Sequence, residues 1–126
     1  MTAASVRTHL VALEPQGGTW TILEGGLSDH VSDPQIAVID RAGLPPITAH
    51  ASTGILRPGV QVLVRGMPRS YAATLTKAEG VWDALHRQHF AGAQSAEGVN
   101  NPVFAGFDEQ QRPVWSLNFI IWTEKE

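Results

Sequence analysis

The sequence has no cysteine among its 126 residues, so it contains neither a disulfide framework nor a thiolate ligand for a metal. This absence is compatible with a reducing compartment. The chain also lacks any run of about eighteen apolar residues, which a membrane-spanning helix requires. Residues 1–13 hold an apolar stretch too weak for a signal peptide. These absences predict a chain that stays in water and carries no export signal.

Basic residues are scarce as well. Nine Lys and Arg stand against twelve Asp and Glu, which gives a formal net charge of −3. That is the wrong sign for a protein that holds DNA mainly by neutralising phosphates. Apolar residues make up 43% and charged residues 17%, close to the averages of globular domains. We expect one domain over residues 1–126, burying roughly two thirds of its unfolded surface.

Familiar catalytic and cofactor motifs are missing too. No Gly-x-Ser-x-Gly elbow occurs, and no glycine-rich loop leads into a helix as a phosphate cradle requires. Of the five histidines only His86 and His89 are close in sequence, and a metal site needs a third ligand that no pattern supplies. We therefore expect no catalytic residue, no metal, no cofactor and no enzymatic activity.

What the sequence does contain is a set of patterns typical of an α+β fold. Valines alternate over residues 59–66, which predicts a strand. An amphipathic helix is predicted from Ser70 to His89, with one buried stripe at Tyr71, Leu75, Ala78, Trp82 and Leu85. In full, helices are predicted over residues 3–13 and 70–89, and strands over residues 19–23, 36–40, 59–66, 99–104 and 114–122.

These elements predict a mainly antiparallel sheet of four or five strands. The last strand has a wholly apolar face that needs a cover, and the helix from Ser70 to His89 is the strongest candidate to supply it. Three tryptophans, Trp20, Trp82 and Trp115, are predicted to lie in the core. Trp122 falls on the more polar face of the last strand, where an aromatic side chain is a reasonable interface anchor.

Residues 44–58 contain three prolines and a glycine, and they are predicted to form a long loop. Loops of this length inside compact domains are uncommon unless they carry function, so we expect a partner to bind here. The residues predicted to form an oligomer or partner interface are Pro45, Pro46, Ile47, His50, Ile55, Arg57 and Trp122.

A short turn before the last strand is flanked by Asp108 and Arg112, whose charges can bridge the hairpin. The pair is read either as a turn-stabilising contact or as an inter-subunit contact, and the sequence leaves both open. Arg65, at the end of an apolar strand, is expected to be partly buried and paired.

Several segments together resemble the tail terminator and minor capsid proteins of long-tailed bacteriophages. The resemblance extends over residues 36–122, although the family's opening helix is longer than the one predicted here. The segments that carry it are the Gly43-Leu44-Pro45-Pro46 turn, the Val60-to-Gly66 strand, Tyr71-Ala72 opening a helix that ends in Leu85-His86, then Pro102, Gly106, Asp108 and Arg112, and Ser116-Leu117-Asn118-Phe119.

The resemblance implies a subunit that assembles as a ring, typically a hexamer, on the head-proximal end of a phage tail tube. Such a ring stops tube growth and offers a docking surface to the head connector, while DNA passes through the lumen without specific binding. It implies a place in the virion, at the neck or tail, after assembly in the host cytoplasm.

Two alternatives stay open at this point. A head-tail joining or neck protein of the same particle would share the ring but face the connector. From another class, a small ligand-binding module or enzyme would use a cleft between helix and sheet with His86 and Arg65.

Overall fold

A computed structural model describes residues 2–13, 20–29, 33–50, 53–90 and 93–124, with the backbone alone described at residues 2, 45–50, 53, 54 and 124. Within these described ranges, two helices and six strands follow one another. They are α1 (Thr2–Leu13), β1 (Thr21–Glu24), β2 (Gln35–His50), β3 (Thr53–Arg65), α2 (Tyr71–Leu85), β4 (Ser95–Gly98), β5 (Val103–Phe107) and β6 (Pro113–Glu124). The α+β fold class predicted from the sequence is confirmed.

The strands form one sheet in the order β1-β2-β3-β6-β4. Among the described strands, β1 and β2 run parallel and the other pairs are antiparallel. β5 pairs with the first part of β6, from Pro113 to Ser116, whereas β4 pairs with the later part, from Phe119 to Trp122. Two short strands therefore share one edge of β6, and in the part of the chain that the structure describes the sheet has six strands instead of four or five.

One face of this sheet carries the core. The alternation in β3 places Val60, Val62 and Val64 there with at most 1% exposure, as the sequence predicted. Opposite them, β6 contributes Leu117 and Phe119, which are equally buried. Burial of each such side chain is worth about 1.5–3 kcal/mol, so this face supplies most of the packing energy.

Both helices cover that face, so the prediction of a single covering helix was incomplete. α1 buries Ala3, Val6 and Leu10 in the same core cluster. The backbone N–H of Ala3 donates to Asp40 Oδ1 at 3.0 Å, which satisfies one of the free donors at the start of the helix. The short helix predicted over residues 3–13 is thus present, and it is part of the core.

α2 is rotated relative to the predicted stripe. Its buried residues are Thr74, Ala78, Val81 and Leu85. Tyr71 is 43% exposed, and Leu75 and Trp82 are half-buried at the side of the helix. Small side chains at Thr74 and Ala78 let the helix approach the sheet closely. The helix also ends at Leu85 instead of His89, because the next residue is extended and Arg87 has a positive φ of 59°.

The prediction of a long loop over residues 44–58 is wrong. Residues 44–50 and 53–58 continue β2 and β3 as a paired extension, which we call the β2–β3 arm: residues 41–50 of β2 and 53–58 of β3. Residues 51 and 52 lie outside the described residues. The register shifts between Arg41 and Leu44, between Leu44 and Ile47, and between Thr48 and His50. Pro45 and Pro46 fall inside the second shift, where a missing N–H does not interrupt the ladder. The bulges let a proline-rich segment remain in a strand.

The strand predicted over residues 99–104 is also misplaced. Two strands, β4 and β5, lie on either side of a bend at residues 99–101. Asn100, Asn101 and Pro102 interrupt the ladder, as their composition suggests, but residues 95–98 become a strand only because β6 offers them a partner.

The first predicted strand is confirmed over Thr21–Glu24 and the last over Pro113–Glu124. Thr19, the predicted start of the first strand, lies outside the described residues.

Candidate assembly surfaces

Two buried arginines meet at the end of the sheet where β3 finishes and β6 begins. Arg65 is 6% and Arg112 7% exposed. Arg65 Nε donates to Asp33 Oδ1 at 2.9 Å, and Arg112 Nη1 donates to Asp33 Oδ2 at 2.7 Å. Asp29 Oδ1 accepts from both guanidinium groups, at 3.3 Å from Arg65 and 3.1 Å from Arg112. Three segments distant in sequence are held together by this cluster.

The Asp108–Arg112 pair belongs to the same cluster. Arg112 Nε donates to Asp108 Oδ2 at 2.6 Å, and the backbone N–H of Arg112 donates to Asp108 Oδ1 at 2.9 Å. In the structure both residues contact partners within the chain. The sequence showed Asp108 and Arg112 four residues apart, but it gave no signal that Asp29 and Asp33, some eighty residues earlier, would join them.

The opposite charges in this cluster attract one another. Burial works against ionisation of Asp108, but hydrogen bonds from the backbone N–H and side chain of Arg112 and from the backbone of Gln110 outweigh it, so the pKa of Asp108 lies below its ordinary value. The hydrogen bond to Asp33 raises the pKa of Arg112 against the opposing effect of burial, and Asp108 and Asp29 add to the rise. Asp108 and Arg112 therefore stay ionised at neutral pH as a pair of opposite charges.

Trp122 lies on the sheet face opposite the helices, since its neighbour Ile121 is buried in the core and successive side chains alternate. The Arg57 guanidinium carbon lies 5.4 Å from the centroid of its ring, within the range of a cation–π contact. Ile55, half-buried, pairs through its backbone with Glu124. Three of the predicted interface residues, Ile55, Arg57 and Trp122, therefore belong to one end of the β3–β6 ladder.

The other four predicted interface residues, Pro45, Pro46, Ile47 and His50, lie on β2 of the arm. Ile47 pairs with Ile55, and His50 pairs with Thr53. Their side chains lie outside the described residues. At the base of the arm the backbones approach so closely that a Cβ on Gly43 would overlap the backbone of Arg57, Pro58 and Gly59, so only glycine fits there.

The sheet face that carries Trp122 has no helix on it in the described ranges. A polar ladder crosses its centre: Arg41 Nε donates to Gln61 Oε1 at 2.8 Å, and Gln61 Nε2 donates to Ser116 Oγ at 2.9 Å. Ile39, Leu63 and Ile120 are half-buried on the same face. A mixed, partly apolar and uncovered face of this kind is suited to contact with another protein.

A second surface lies beside α2. Tyr71 packs edge-on against Phe104, with ring centroids 5.1 Å apart, and lies 6.4 Å from Phe107. Farther along the helix an open cleft of about 350 Å³ is lined by Leu75, Glu79, Trp82, Asp83, Asn101 and Pro102. The sequence assigned Tyr71, Leu75 and Trp82 to the core, so this surface was missed. The sequence feature that could have indicated this surface is the width of the apolar stripe on α2, which is greater than contact with one sheet face requires.

The three predicted core tryptophans differ in burial. Trp115 is buried, whereas Trp20 and Trp82 are half-buried and pack against the core from its margin. Lys77 Nζ lies 5.6 Å from the centroid of the Trp20 ring. Trp82 stacks on His86 at 4.7 Å and contacts Phe119 at 5.4 Å.

His86 and Arg65, the two residues assigned to a ligand-binding module, have separate partners. His86 Nδ1 accepts from the backbone N–H of Gly98 at 3.0 Å, and Arg65 is paired with Asp33 and Asp29. His89 Nδ1 lies 3.3 Å from the carbonyl of Gln94. In the described ranges no three His, Asp or Glu side chains are grouped as metal ligands, and no helix has the length and apolar character needed to cross a bilayer.

These features define an α+β structural subunit with several surfaces suited to protein contacts. The sequence matches the family described as Bacteriophage tail terminator protein over residues 26–125. The chain belongs to this family, and it is a structural protein of a phage tail. The resemblance seen in the sequence is thereby confirmed.

Among solved structures, the fold is similar to a chain from the virion of a native gene transfer agent particle. The TM-score is 0.67 with 15% sequence identity, and the match covers 98% of this chain and 94% of the other. At that identity the likeness concerns the fold alone. No curated protein matches the sequence.

Proposed function

We propose that the chain is a tail terminator that forms a ring, a hexamer, at the head-proximal end of the tail tube. The ring stops polymerisation of the tube protein and then provides the docking surface for the head connector. The observation that carries this proposal is the family match over residues 26–125. A virion component with a similar fold adds support.

Features of the chain suit a ring. The described side chains of the β2–β3 arm at residues 41–44 and 55–58 contribute nothing to the buried core, so the arm is free to serve contacts between subunits. A ring needs two different complementary patches on each subunit, and the arm, the uncovered sheet face and the edge strands offer several. The formal charge of −3 suits a lumen through which DNA passes without binding.

Within this proposal, Pro45, Pro46, Ile47, His50, Ile55, Arg57 and Trp122 form contacts with neighbouring subunits or with other tail proteins. The Asp108–Arg112 pair acts inside the subunit, because the Arg112 guanidinium already has three carboxylate partners within the chain. The chain needs no cofactor for this role. Assembly takes place in the host cytoplasm, and the protein ends in the virion.

The test is the mass of the purified protein in solution, followed by negative-stain images and a tube-growth assay. We expect rings with an open lumen, and tubes of the matching tail protein that stop growing when rings are added. Rings that bind the connector but leave tube growth unchanged would instead indicate a head-tail joining protein. A strict monomer that leaves tube growth unchanged and gains stability from a small molecule would refute the assembly role.

A further inference from the structure

The side of α2 that faces β5 carries more apolar surface than the fold covers. We call it the α2–β5 groove; it consists of Tyr71, Leu75, Trp82, Pro102, Phe104 and Phe107. Tyr71 is 43% and Phe107 50% exposed. Large apolar side chains that cluster on an edge strand mark a contact surface.

The groove has an acidic rim. Glu79 and Asp83 are both exposed, lie one turn apart on α2 and line the cleft beside Leu75 and Trp82. Like charges at this spacing repel each other and favour a cation between them. In the described part of the chain no cation pairs with either carboxylate. Arg87 follows Asp83 by four residues, but it lies past the helix end and so is not one turn farther along α2.

The arm has the opposite charge. Residues 41–58 contain two of the nine basic residues, Arg41 and Arg57, and none of the twelve acidic ones. The formal charge of −3 is therefore divided into +2 on this segment and −5 on the rest of the chain. The segment is otherwise rich in apolar residues and proline, and Leu44 is 48% exposed. A basic, apolar arm and an apolar groove with an acidic rim are complementary in both charge and chemistry.

We propose that the β2–β3 arm of one subunit docks in the α2–β5 groove of the next; this inference rests on the proposed ring and identifies its two contact surfaces. The arm belongs to β2 and β3, whereas the groove lies beyond β6 on the far edge of the sheet. Because the two patches are different, each subunit gives its arm to one neighbour and receives an arm from the other. Contacts of this head-to-tail kind form a ring when the rotation from one subunit to the next closes.

Charge reversal tests the pairing. The variant E79K/D83K is expected to raise the concentration at which rings dissociate by about tenfold or more, because it places two cations opposite a basic arm. R41E/R57E should do the same, and the variant carrying all four substitutions should regain assembly. A matched control, E24K/E109K, makes the same change in net charge at exposed sites outside the groove and should assemble normally. Circular dichroism and melting show that each variant is folded.

A cross-linking test does not depend on those variants. Because the chain has no cysteine, mixing L44C with D83C under mild oxidation allows a disulfide only between two copies. We expect a mixed dimer from this pair and little or none from L44C with E24C. Rings that form normally without the mixed disulfide, or that tolerate E79K/D83K, would overturn the groove contact and leave the terminator proposal standing. A wild-type chain that forms no rings, together with a mixture of L44C and D83C that gives no mixed disulfide, would overturn both.

Discussion

Arg65 and Arg112, from opposite ends of the β3-to-β6 connection, share the carboxylate of Asp33, whose Oδ1 lies 2.9 Å from Arg65 Nε and whose Oδ2 lies 2.7 Å from Arg112 Nη1. Both guanidinium groups are buried, so this one carboxylate compensates two charges that have little access to water. Its side chain is 14% exposed, against 72% for Asp29. The two aspartates are therefore expected to differ strongly in importance.

Replacing Asp33 with Asn keeps its shape and removes its charge. We expect the free energy of unfolding to fall by up to about 3–5 kcal/mol, because Arg65 and Arg112 both lose the least exposed of their carboxylate partners. The same change at Asp29, whose carboxylate is mostly in water, should lower it by about 1 kcal/mol or less. Urea denaturation of both variants measures the difference. Equal losses would show that the cluster does not depend on Asp33.

Asp108 makes the stability of the chain sensitive to acid. Its folded pKa lies below the ordinary value of 3.8, so the unfolded chain takes up a proton first as the pH falls. The stabilisation from Asp108 is then complete above pH 3.8 and declines as the pH drops through the folded pKa. The difference in unfolding free energy between the wild type and D108N should be constant from about pH 7 to 5 and shrink below about pH 4. A difference that grows in acid would contradict the assignment.

Gly98 is expected to tolerate no side chain. A Cβ there would overlap the six-membered ring of Trp82, so the ring would have to leave its place against Phe119 and His86. We predict that Gly98→Ala lowers the unfolding free energy by about 1–3 kcal/mol. The melting temperature and Trp fluorescence of the variant measure this, and an unchanged spectrum would argue against a fixed Trp82.

Gly80 provides the contrasting case. It lies inside α2, and a Cβ built on it meets nothing within 4 Å. Alanine is a better helix former and restricts the unfolded chain, so Gly80→Ala should raise the unfolding free energy by about 0.5–1 kcal/mol. Thermal melting tests this increase. A loss of stability would mean that α2 packs differently at this position.

Trp122 is expected to affect assembly more than folding. Trp122→Ala removes a half-buried ring and its contact with Arg57 from the uncovered sheet face. Light scattering should show weaker assembly, with only a small fall in the melting temperature of the subunit. Trp115→Ala is the comparison, because removing that buried ring should lower the free energy of unfolding by about 3–5 kcal/mol. Equal losses of stability in the two variants would count against an interface role for Trp122.

Sequence patterns located the elements whose signal is local. The alternation of Val60, Val62 and Val64, the apolar face of β6 and the existence of α1 and α2 all follow from periodicity. The tail terminator family was also recognisable from short segments of sequence. Periodicity alone did not separate the two stripes on α2, because the apolar Leu75 and Trp82 each lie only one position from the buried Thr74 and Val81.

Features that depend on distant partners needed the folded chain. Nothing near Asp108 and Arg112 indicates Asp29 or Asp33, which join them through the packing of the β1–β2 connection against the ends of β3 and β6. The arm was assigned to a loop because prolines disfavour strands, and only the pairing of β2 with β3 shows that bulges accommodate them. The α2–β5 groove depends on the rotation of α2, which the close approach of Thr74 and Ala78 to the sheet determines.

The amino-acid sequence by itself determined the fold class, the family and the mixture of apolar and polar faces, since each can be inferred from residue spacing and composition. Tertiary structure decided which of those faces became core and which stayed open for other proteins. The physical reason is that every helix and strand has two sides. The neighbouring elements decide which side is buried, and the opposite side stays exposed.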